Sequence, residues 1–507
     1  MSEPLERLKD RMAQLADLGH ASSLANWDQQ TMMPPRGAEA RADSLATLTR
    51  ISHELFTDDE TGRLLEGSAE QLDGADPDAD DVRLVALVRR QWDKGRRVGP
   101  DLAAEMTRAA SMGQEAWIAA RETSDFQAFA PYLERNFELT HRYIDCHAGH
   151  GFQCPYDVVL DDYEPQMPTT DVARLFSELK DALVPMIARV TAAGSVGDDD
   201  LIHGPFPVAR QRTLVREVVE LMGFDEAGWR IDDTVHPFAS RIGVGDVRIT
   251  GRWDEQYFPM GLYGAMHECG HGLYEDGLPR QFARSPLGAA ESLGMHESQS
   301  RLWENMVGRG RAFCDVLAPR IAKLGGDRLA GIDADGLYRA VNQVRPSFIR
   351  VEADEATYGL HIILRFELEQ ALIDGTLTVR ELPEAWNARF QEYFGLTVPD
   401  DADGVLQDVH WAAGLIGYFP TYALGNLIAG QLWERAHAEI TDLEDQIAAG
   451  QLSALRDWLG RRVHRHGAKF TTRELLEREL GAPISVAPFV GYLRNKLRDV
   501  YGLDPVG

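Results

Sequence analysis

Apolar residues recur at intervals of three and four along most of this chain. The pattern is clearest in LERLKDRMAQLADLGHASSLANW, DVARLFSELKDALVPMIARV and GLHIILRFELEQALIDG. This spacing places apolar side chains on one face of a helix, so each segment is predicted to be an amphipathic helix. Runs that alternate apolar and polar residues are rare, and the clearest, VGDVRITGRW, predicts one strand of a small sheet. The pattern therefore predicts a mostly α-helical fold.

Two acidic, glycine-containing stretches interrupt the helical pattern, at 67–81 and 194–200. Neither has a periodic apolar face, so both are predicted to be solvated loops. No repeat, proline-rich linker or low-complexity tract accompanies them. We therefore expect one large helical unit over residues 1–507, which could fold as two lobes around a cleft.

The composition narrows the functional classes. The 80 acidic and 52 basic side chains give a formal net charge of -28, which repels nucleic acid and anionic membranes. The first residues, MSEPLERLKDRMAQL, carry charges where a secretory signal has an apolar run, and no apolar stretch is long enough to span a bilayer. The four cysteines form no CxxC pair and are expected to be buried, reduced thiols. These features predict a soluble, cytoplasmic protein.

The strongest chemical signal is the segment MHECGHGLYEDG, which contains an HExxH motif at His267, Glu268 and His271. At about 100° per residue the two histidines lie about 40° apart on one helix face, so both imidazoles can reach one metal ion. Glu268 flanks that face, where its carboxylate can hold a water. The alternative interpretation is a stacked pair of core histidines.

The residues between and around these histidines predict a tightly packed helix. Cys269 lies about 200° round from His267 and is expected to point away from the metal. Each glycine weakens a helix by about 1 kcal/mol relative to alanine, so close packing against neighbouring chain is expected to compensate. The glycines concerned are Gly261, Gly264, Gly270 and Gly272.

A second helix-like segment, AAESLGMHESQSRLWENMV, offers candidates for a third ligand. Glu291 and Glu297 point about 240° apart on a helix, so only one of them can face the site. His296 diverges from Glu297 and is expected to be a hydrogen-bonded neighbour of the site rather than a ligand. Glu304 shares the face of Glu297, where it could either orient a ligating imidazole or form a surface ion pair.

Together with these residues, several blocks of the chain resemble the carboxypeptidase Taq family of metallocarboxypeptidases. The blocks that agree in order are DVRIT (246–250), HECGH (267–271), HESQS (296–300), IRVEAD (349–354) and GVLQDVHW (404–411). WDQQTMMPPRG (27–37) and YDVVLDDYEP (156–165) also look like the family, so the resemblance covers nearly the whole chain.

The resemblance implies more than the spacing alone establishes. It implies Glu297 as the third ligand, and a homodimer. It also implies a mostly helical, two-lobed body around a deep groove, with a small sheet beside the zinc, similar to neurolysin and angiotensin-converting enzyme. Zinc is the expected metal, although two imidazoles and a carboxylate also suit cobalt or manganese.

The expected chemistry is hydrolysis of a peptide bond. Glu268 is predicted to act as general base toward the attacking water and then to pass the proton to the departing amine. His410 and Tyr422 are candidates for stabilising the oxyanion, although a histidine and a tyrosine in an aromatic, glycine-rich stretch are often structural.

Removal of single C-terminal residues requires a cation for the terminal carboxylate. Arg350 is the candidate, with an i,i+4 ion pair to Asp354 as its structural alternative. Asp246 and Arg248 alternate as in an edge strand, which could pair with substrate backbone or only brace the groove. His236 is a further candidate substrate contact.

The sequence thus predicts a zinc carboxypeptidase of broad specificity acting on peptides with a free C-terminus. An oligopeptidase or endopeptidase with the same metal chemistry is the first alternative, because HExxH does not fix where a peptide is cut. A non-catalytic helical metal-binding protein is the second, and Glu268 argues against it because a structural site has no need of that carboxylate.

Overall fold

A computed structural model describes residues 3–503, and helices dominate it, which confirms the prediction of a mostly α-helical fold. The first six helices are α1 (Pro4–Thr31), α2 (Ala38–Thr57), α3 (Asp59–Gln71), α4 (Asp80–Arg97), α5 (Pro100–Thr123) and α6 (Phe126–Asp145). Among the described residues, no helix combines the length and apolar content that a membrane span requires.

The N-terminal helices α1, α3 and α4 pack around a small separate hydrophobic cluster, in which Leu8, Leu65 and Val88 are fully buried and to which Phe282 and Leu287 also contribute. The prediction of a loop over 67–81 is wrong at both ends, because α3 continues to Gln71 and α4 begins at Asp80, so only 72–79 lie outside the helices. Gly67 lies inside α3 where a Cβ would meet the ring of Pro4 at 2.9 Å, so tertiary packing keeps this polar segment helical.

The chain then forms α7 (Pro155–Leu160), α8 (Thr169–Ala192) and α9 (Val208–Met222), followed by a three-stranded sheet. The strands are β1 (Trp229–Asp233), β2 (Ala239–Gly243) and β3 (Asp246–Gly251). Their order is β1-β3-β2, with β3 parallel to β1 and antiparallel to β2. The prediction that DVRIT is an edge strand is therefore wrong: β3 is central, so its backbone is already paired on both sides and is not free for a substrate.

Helix α10 (Pro259–Gly277) carries the HExxH motif, and three of its four expected glycines, Gly261, Gly270 and Gly272, allow neighbouring chain to come close, whereas Gly264 has nothing near it among residues 3–503. A Cβ on Gly270 would lie 2.8 Å from the carbonyl oxygen of Gln299, and one on Gly272 would lie 2.4 Å from the Trp229 ring. Helix α11 (Leu293–Arg301) crosses α10 at Gly270. Cys269 is fully buried, in agreement with a packing role.

Helix α11 continues directly into a π-helix over Leu302–Gly308. The remaining helices are α12 (Arg311–Gly325), α13 (Ala334–Val341), α14 (Glu355–Ile373), α15 (Leu382–Phe394), α16 (Pro420–Glu439), α17 (Leu443–Ala448), α18 (Ser453–Arg462), α19 (Thr472–Glu479) and α20 (Ala487–Tyr501). Helix α16 packs on α11 at Gly425, where a Cβ would lie 2.7 Å from Cβ of Glu297. All four cysteines are free thiols, as predicted, but only Cys269 and Cys314 are buried, whereas Cys146 and Cys154 are partly exposed.

Candidate metal centre

The three predicted ligands converge on one point between α10 and α11. Oε2 of Glu297 lies 3.6 Å from Nε2 of His267 and 3.4 Å from Nε2 of His271. Across residues 3–503, this is the one group of three or more histidine, cysteine or acidic side chains whose ligand atoms come within 4.8 Å of one another. Two imidazole nitrogens and one carboxylate oxygen match the donors of a catalytic zinc site, which keeps a further position open.

The outer nitrogens of both imidazoles are occupied by protein groups. Nδ1 of His267 hydrogen-bonds Oε2 of Glu304 at 2.9 Å, and Nδ1 of His271 lies 3.1 Å from the carbonyl oxygen of His296. If each Nδ1 donates its proton there, each Nε2 lone pair is left to face Glu297. Glu304 is 13% exposed, so of its two predicted roles the structure supports the orientation of an imidazole rather than a surface ion pair.

His296 behaves as the neighbour that the sequence predicted. Its ring contacts the ring of His271, and its Nε2 lies 2.9 Å from Oε1 of Glu275. Glu291, the other carboxylate considered as a third ligand, is engaged elsewhere. Its Oε2 accepts hydrogen bonds from the backbone nitrogen and Oγ1 of Thr472, at 3.0 and 2.8 Å.

Arg301 holds two of the acidic groups at once. Its Nε donates to Oε1 of Glu297 at 2.6 Å, and its Nη1 donates to Oε2 of Glu304 at 3.3 Å. Burial alone would raise the pKa of Glu297, but the charges of Arg301 and His267 outweigh it and hold that pKa well below its ordinary value. Glu297 is therefore a carboxylate, with Oε2 turned toward the two imidazoles.

The two histidines differ in their protonation. Burial and, to a smaller extent, the nearby His296 together lower the pKa of His271 to about 3, so this ring is neutral and ready to bind a metal. Burial also acts to lower the pKa of His267, but the charge of Glu297 and the hydrogen bond to Glu304 outweigh it and raise that pKa. A divalent ion at this point would displace the His267 proton, so the donor set fits a metal.

We expect Glu304→Gln to weaken zinc binding about tenfold or more, because the neutral amide no longer makes the His267 ring more basic. Competition with a chromophoric chelator measures this affinity. The exposed Glu138, which pairs with Arg135 on the surface, offers a matched Glu→Gln control. Equal zinc affinity in the two variants would contradict the role given to Glu304.

Glu268 follows the first ligand and is 6% exposed. Burial raises the pKa of its carboxyl to about 7, although the neighbouring His267 acts to lower it. A carboxyl whose pKa lies near neutrality can both accept and release a proton at that pH.

His410 and Tyr422 are brought together, on the loop before α16 and on the first turn of that helix. Nε2 of His410 lies 3.3 Å from Oη of Tyr422. Burial lowers the pKa of His410 to about 4, so its ring is neutral at pH 7. Burial also raises the pKa of Tyr422 well above its ordinary value, so the phenol keeps its proton. Because Tyr422 stands three residues before Gly425, which packs against Glu297, its side chain lies on the face of α16 that is turned toward the metal ligands.

Arg350 is buried, and its partner is Asp408 rather than Asp354. Nε and Nη2 donate to the two Asp408 oxygens at 2.7 to 3.1 Å. The Asp354 ion pair considered from the sequence is wrong, because that carboxylate caps α14 by accepting from the backbone nitrogens of Ala356 and Thr357. Arg365 also donates to Asp408, from Nε at 2.7 Å.

Sequence reasoning missed Asp408, Arg365 and Tyr358. Signals for two of them were present: Asp408 stands two residues before His410 in the GVLQDVHW block, and Arg365 interrupts the apolar run of α14. A charged residue in a buried helix requires a partner. Nothing in the sequence marks Tyr358, which contacts Arg301 and Arg350.

The other predicted substrate contacts lie on or near the sheet. Arg248 donates to Asp246 at 2.7 and 2.8 Å, and its guanidinium stacks on Trp27 of α1, 4.2 Å from the ring centroid. Val247 and Ile249 are buried toward α10, so Arg248 points to the opposite face of β3. His236 is exposed between β1 and β2. Within the described part of the chain, no contact joins Asp246, Arg248 or His236 to the metal ligands, and their roles in substrate binding stay predictions.

Comparison with known proteins decides the family. The family model described as carboxypeptidase Taq (M32) metallopeptidase matches residues 7–497. The chain belongs to this family. It is 42% identical over 505 residues to thermostable carboxypeptidase 1 of Thermus thermophilus, with 97% of each chain covered. It is 36% identical over 493 residues to carboxypeptidase 1 of Bacillus subtilis, again with 97% of each covered.

Solved structures of the M32 family have the same fold. The chain matches the crystal structure of the M32 carboxypeptidase from Deinococcus radiodurans R1 with a TM-score of 0.95 and 38% identity, covering 99% of this chain and 100% of the other. Membership of the M32 family makes the chain an enzyme of the metallocarboxypeptidase class. The interpretation as a non-catalytic metal-binding protein is therefore wrong.

Proposed function

We propose that this M32 enzyme is a zinc-dependent carboxypeptidase that releases single C-terminal residues from peptides with broad specificity. The observation that carries the proposal is a buried cluster with an excess of positive charge, formed by Arg350, Arg365 and Asp408. This cluster is linked to the metal centre through Tyr358 of α14, which contacts both Arg350 and Arg301.

The charge of this cluster favours an anionic ligand. Two guanidinium groups, 6% and 1% exposed, share the single carboxylate of Asp408, and the adjacent His410 is neutral. Burial of an uncompensated charge is costly, so binding of a carboxylate would stabilise the cluster. The terminal carboxylate of a peptide is an anion of the right size and geometry.

Arg350 has hydrogen-bonding capacity left for such a ligand. Nε and one N–H of Nη2 point to Asp408, and one N–H of Nη1 donates to Oη of Tyr358 at 2.9 Å. A guanidinium has five N–H donors, so two remain, one on each terminal nitrogen. A carboxylate can accept both in the bidentate arrangement that makes arginine selective for it.

The residues of the metal centre account for hydrolysis. When bound, the zinc ion would act as a Lewis acid that activates water and polarises the scissile carbonyl. Glu268 accepts the proton of the attacking water on its carboxylate and then donates it to the departing amine. Tyr422, which keeps its phenolic proton, donates a hydrogen bond to the developing oxyanion, and His410 holds the phenol in place.

Several finer features also belong to the proposal. The family resemblance implies a two-lobed body with a deep groove, like those of neurolysin and angiotensin-converting enzyme, and a homodimer. The sequence pattern and composition predict a single unit over residues 1–507 and a cytoplasmic location. Cobalt or manganese in place of zinc stays an alternative.

The proposal is tested with an N-blocked dipeptide whose C-terminus is either free or amidated. We expect the zinc-loaded enzyme to cleave the free acid at least about tenfold faster, because a hydrogen-bonded charge pair forms only with the acid. Mass spectrometry of products from a longer peptide should show loss of one residue at a time, and elemental analysis identifies the metal. Equal cleavage of both dipeptides would favour the oligopeptidase alternative instead.

A further inference from the structure

Tyr358 lies between the metal ligands and the proposed carboxylate site. The guanidinium of Arg301 stacks over its ring, with Cζ 4.4 Å from the centroid. On the other side, Nη1 of Arg350 donates to its phenolic oxygen at 2.9 Å. Tyr358 is 5% exposed and occupies the first turn of α14. One rigid side chain therefore touches the arginine of each cluster.

These contacts form a continuous path between the two clusters. Arg301 donates a hydrogen bond to Oε1 of Glu297, whose other oxygen faces the imidazoles of His267 and His271. Arg350 is held by Asp408 through two nitrogens. From Glu297 to Asp408, each group contacts the next through a hydrogen bond or a cation–π contact, and the path crosses Tyr358 at its centre.

The backbone that carries Tyr358 is itself fixed. Asp354 caps α14 by accepting from two backbone nitrogens, each at 3.0 Å. Glu355 accepts from Nζ of the buried Lys496 at 2.7 Å, which joins this turn to α20. Thr357 and Leu360, on either side of the tyrosine, are fully buried. The ring therefore has little freedom to move. The guanidinium groups of Arg301 and Arg350, which contact it, are restrained in turn.

We propose that Tyr358 is a positioning residue that sets the separation between the metal ligands and Arg350, so that the last peptide bond is the one presented for cleavage. The inference rests on the proposed function, in which Arg350 receives the terminal carboxylate. When Arg350 holds the terminal carboxylate of a substrate in a bidentate ion pair, the peptide bond that reaches the metal is the one that joins the last residue. A small change in this separation lowers the reaction rate, because reaction requires the attacking and attacked atoms to be within about 3.5 Å of each other.

The test compares Tyr358→Phe with the native enzyme. Phenylalanine keeps the ring beneath Arg301 but removes the oxygen that holds Arg350. We expect KM for the free acid to rise about tenfold, with kcat changed less than about threefold and zinc affinity unchanged, because one hydrogen bond to a charged group is lost. The amidated substrate should be unaffected, so the preference for the free acid should fall about tenfold.

A second variant, Tyr358→Leu, removes the ring as well. We expect it to lower zinc affinity, because Arg301 loses the surface it rests on, and to release some dipeptide from a longer peptide. Tyr263→Phe is the matched control. Tyr263 is a tyrosine of α10, 1% exposed, whose hydroxyl has no hydrogen-bond partner among the described residues. The control should leave KM, the acid preference and the cleavage position unchanged.

The outcomes separate this inference from the proposed function. If Tyr358→Phe leaves KM and the acid preference at native values, or lowers kcat equally on both substrates, the positioning role is overturned. If the preference survives removal of the Arg350 side chain, the proposed carboxylate site is itself wrong. Loss of the preference on removal of Arg350 but not in Tyr358→Phe would overturn the role of Tyr358 alone.

Discussion

Replacement of Glu268 by glutamine is expected to lower kcat about 10³-fold or more while leaving the metal in place. General acid–base catalysis contributes about 10²- to 10⁴-fold in rate, and this residue would serve both proton transfers. The amide of glutamine is nearly the same size as the carboxyl but cannot accept a proton at neutral pH. Since Glu268 is not among the three converging ligands, zinc content should stay near one ion per chain.

Glu268→Asp provides the comparison for this variant. It retains an ionisable carboxyl but withdraws it by one methylene, so it should keep more activity than the glutamine variant. Zinc content by elemental analysis and kcat with a saturating blocked dipeptide are measured on the same preparations. Native turnover by the glutamine variant would remove the proton-transfer role, whereas parallel loss of zinc and activity would show that Glu268 supports the metal instead.

The helices and the first two ligands could be predicted from the sequence because both follow from local geometry. Apolar spacing alone is enough to predict α8 and α14, and a separation of four residues puts His267 and His271 on one helix face. The third ligand could not be chosen in this way. Helical geometry left Glu291 and Glu297 open, and only the family resemblance favoured Glu297.

Other surroundings of the ligands escaped prediction because they depend on tertiary contacts. The π-helix after α11 shifts the register of Glu304 relative to an ordinary helix, and the sequence gives no sign of it. Asp408, the partner of Arg350, lies 58 residues further along the chain. It stands in a loop without the periodic apolar pattern from which a helix or strand is predicted. The place of β3 in the sheet is likewise decided by pairing, since an alternating pattern is the same in a central and an edge strand.

Substitution of Arg350 by alanine is expected to lower kcat/KM for a free-acid substrate about 10²- to 10³-fold, because a desolvated, bidentate charge pair is lost. The amidated substrate never forms that pair, so its slower cleavage should hardly change and the preference for the acid should disappear. The fold should tolerate the change. Asp408 keeps its hydrogen bonds to Arg365, at 2.7 Å from Nε, so no buried carboxylate is left unpaired.

Arg345→Ala is the matched control for this last prediction, because Arg345 stands five residues earlier and pairs on the surface with Asp199. Both variants are assayed with the acid and the amide, and their thermal midpoints are compared with that of the native enzyme. A native midpoint with a collapsed acid preference in Arg350→Ala alone would place the terminal carboxylate at the Arg350 cluster. An unchanged preference would mean that another cation receives the carboxylate, and the excess charge around Asp408 would then need a different ligand.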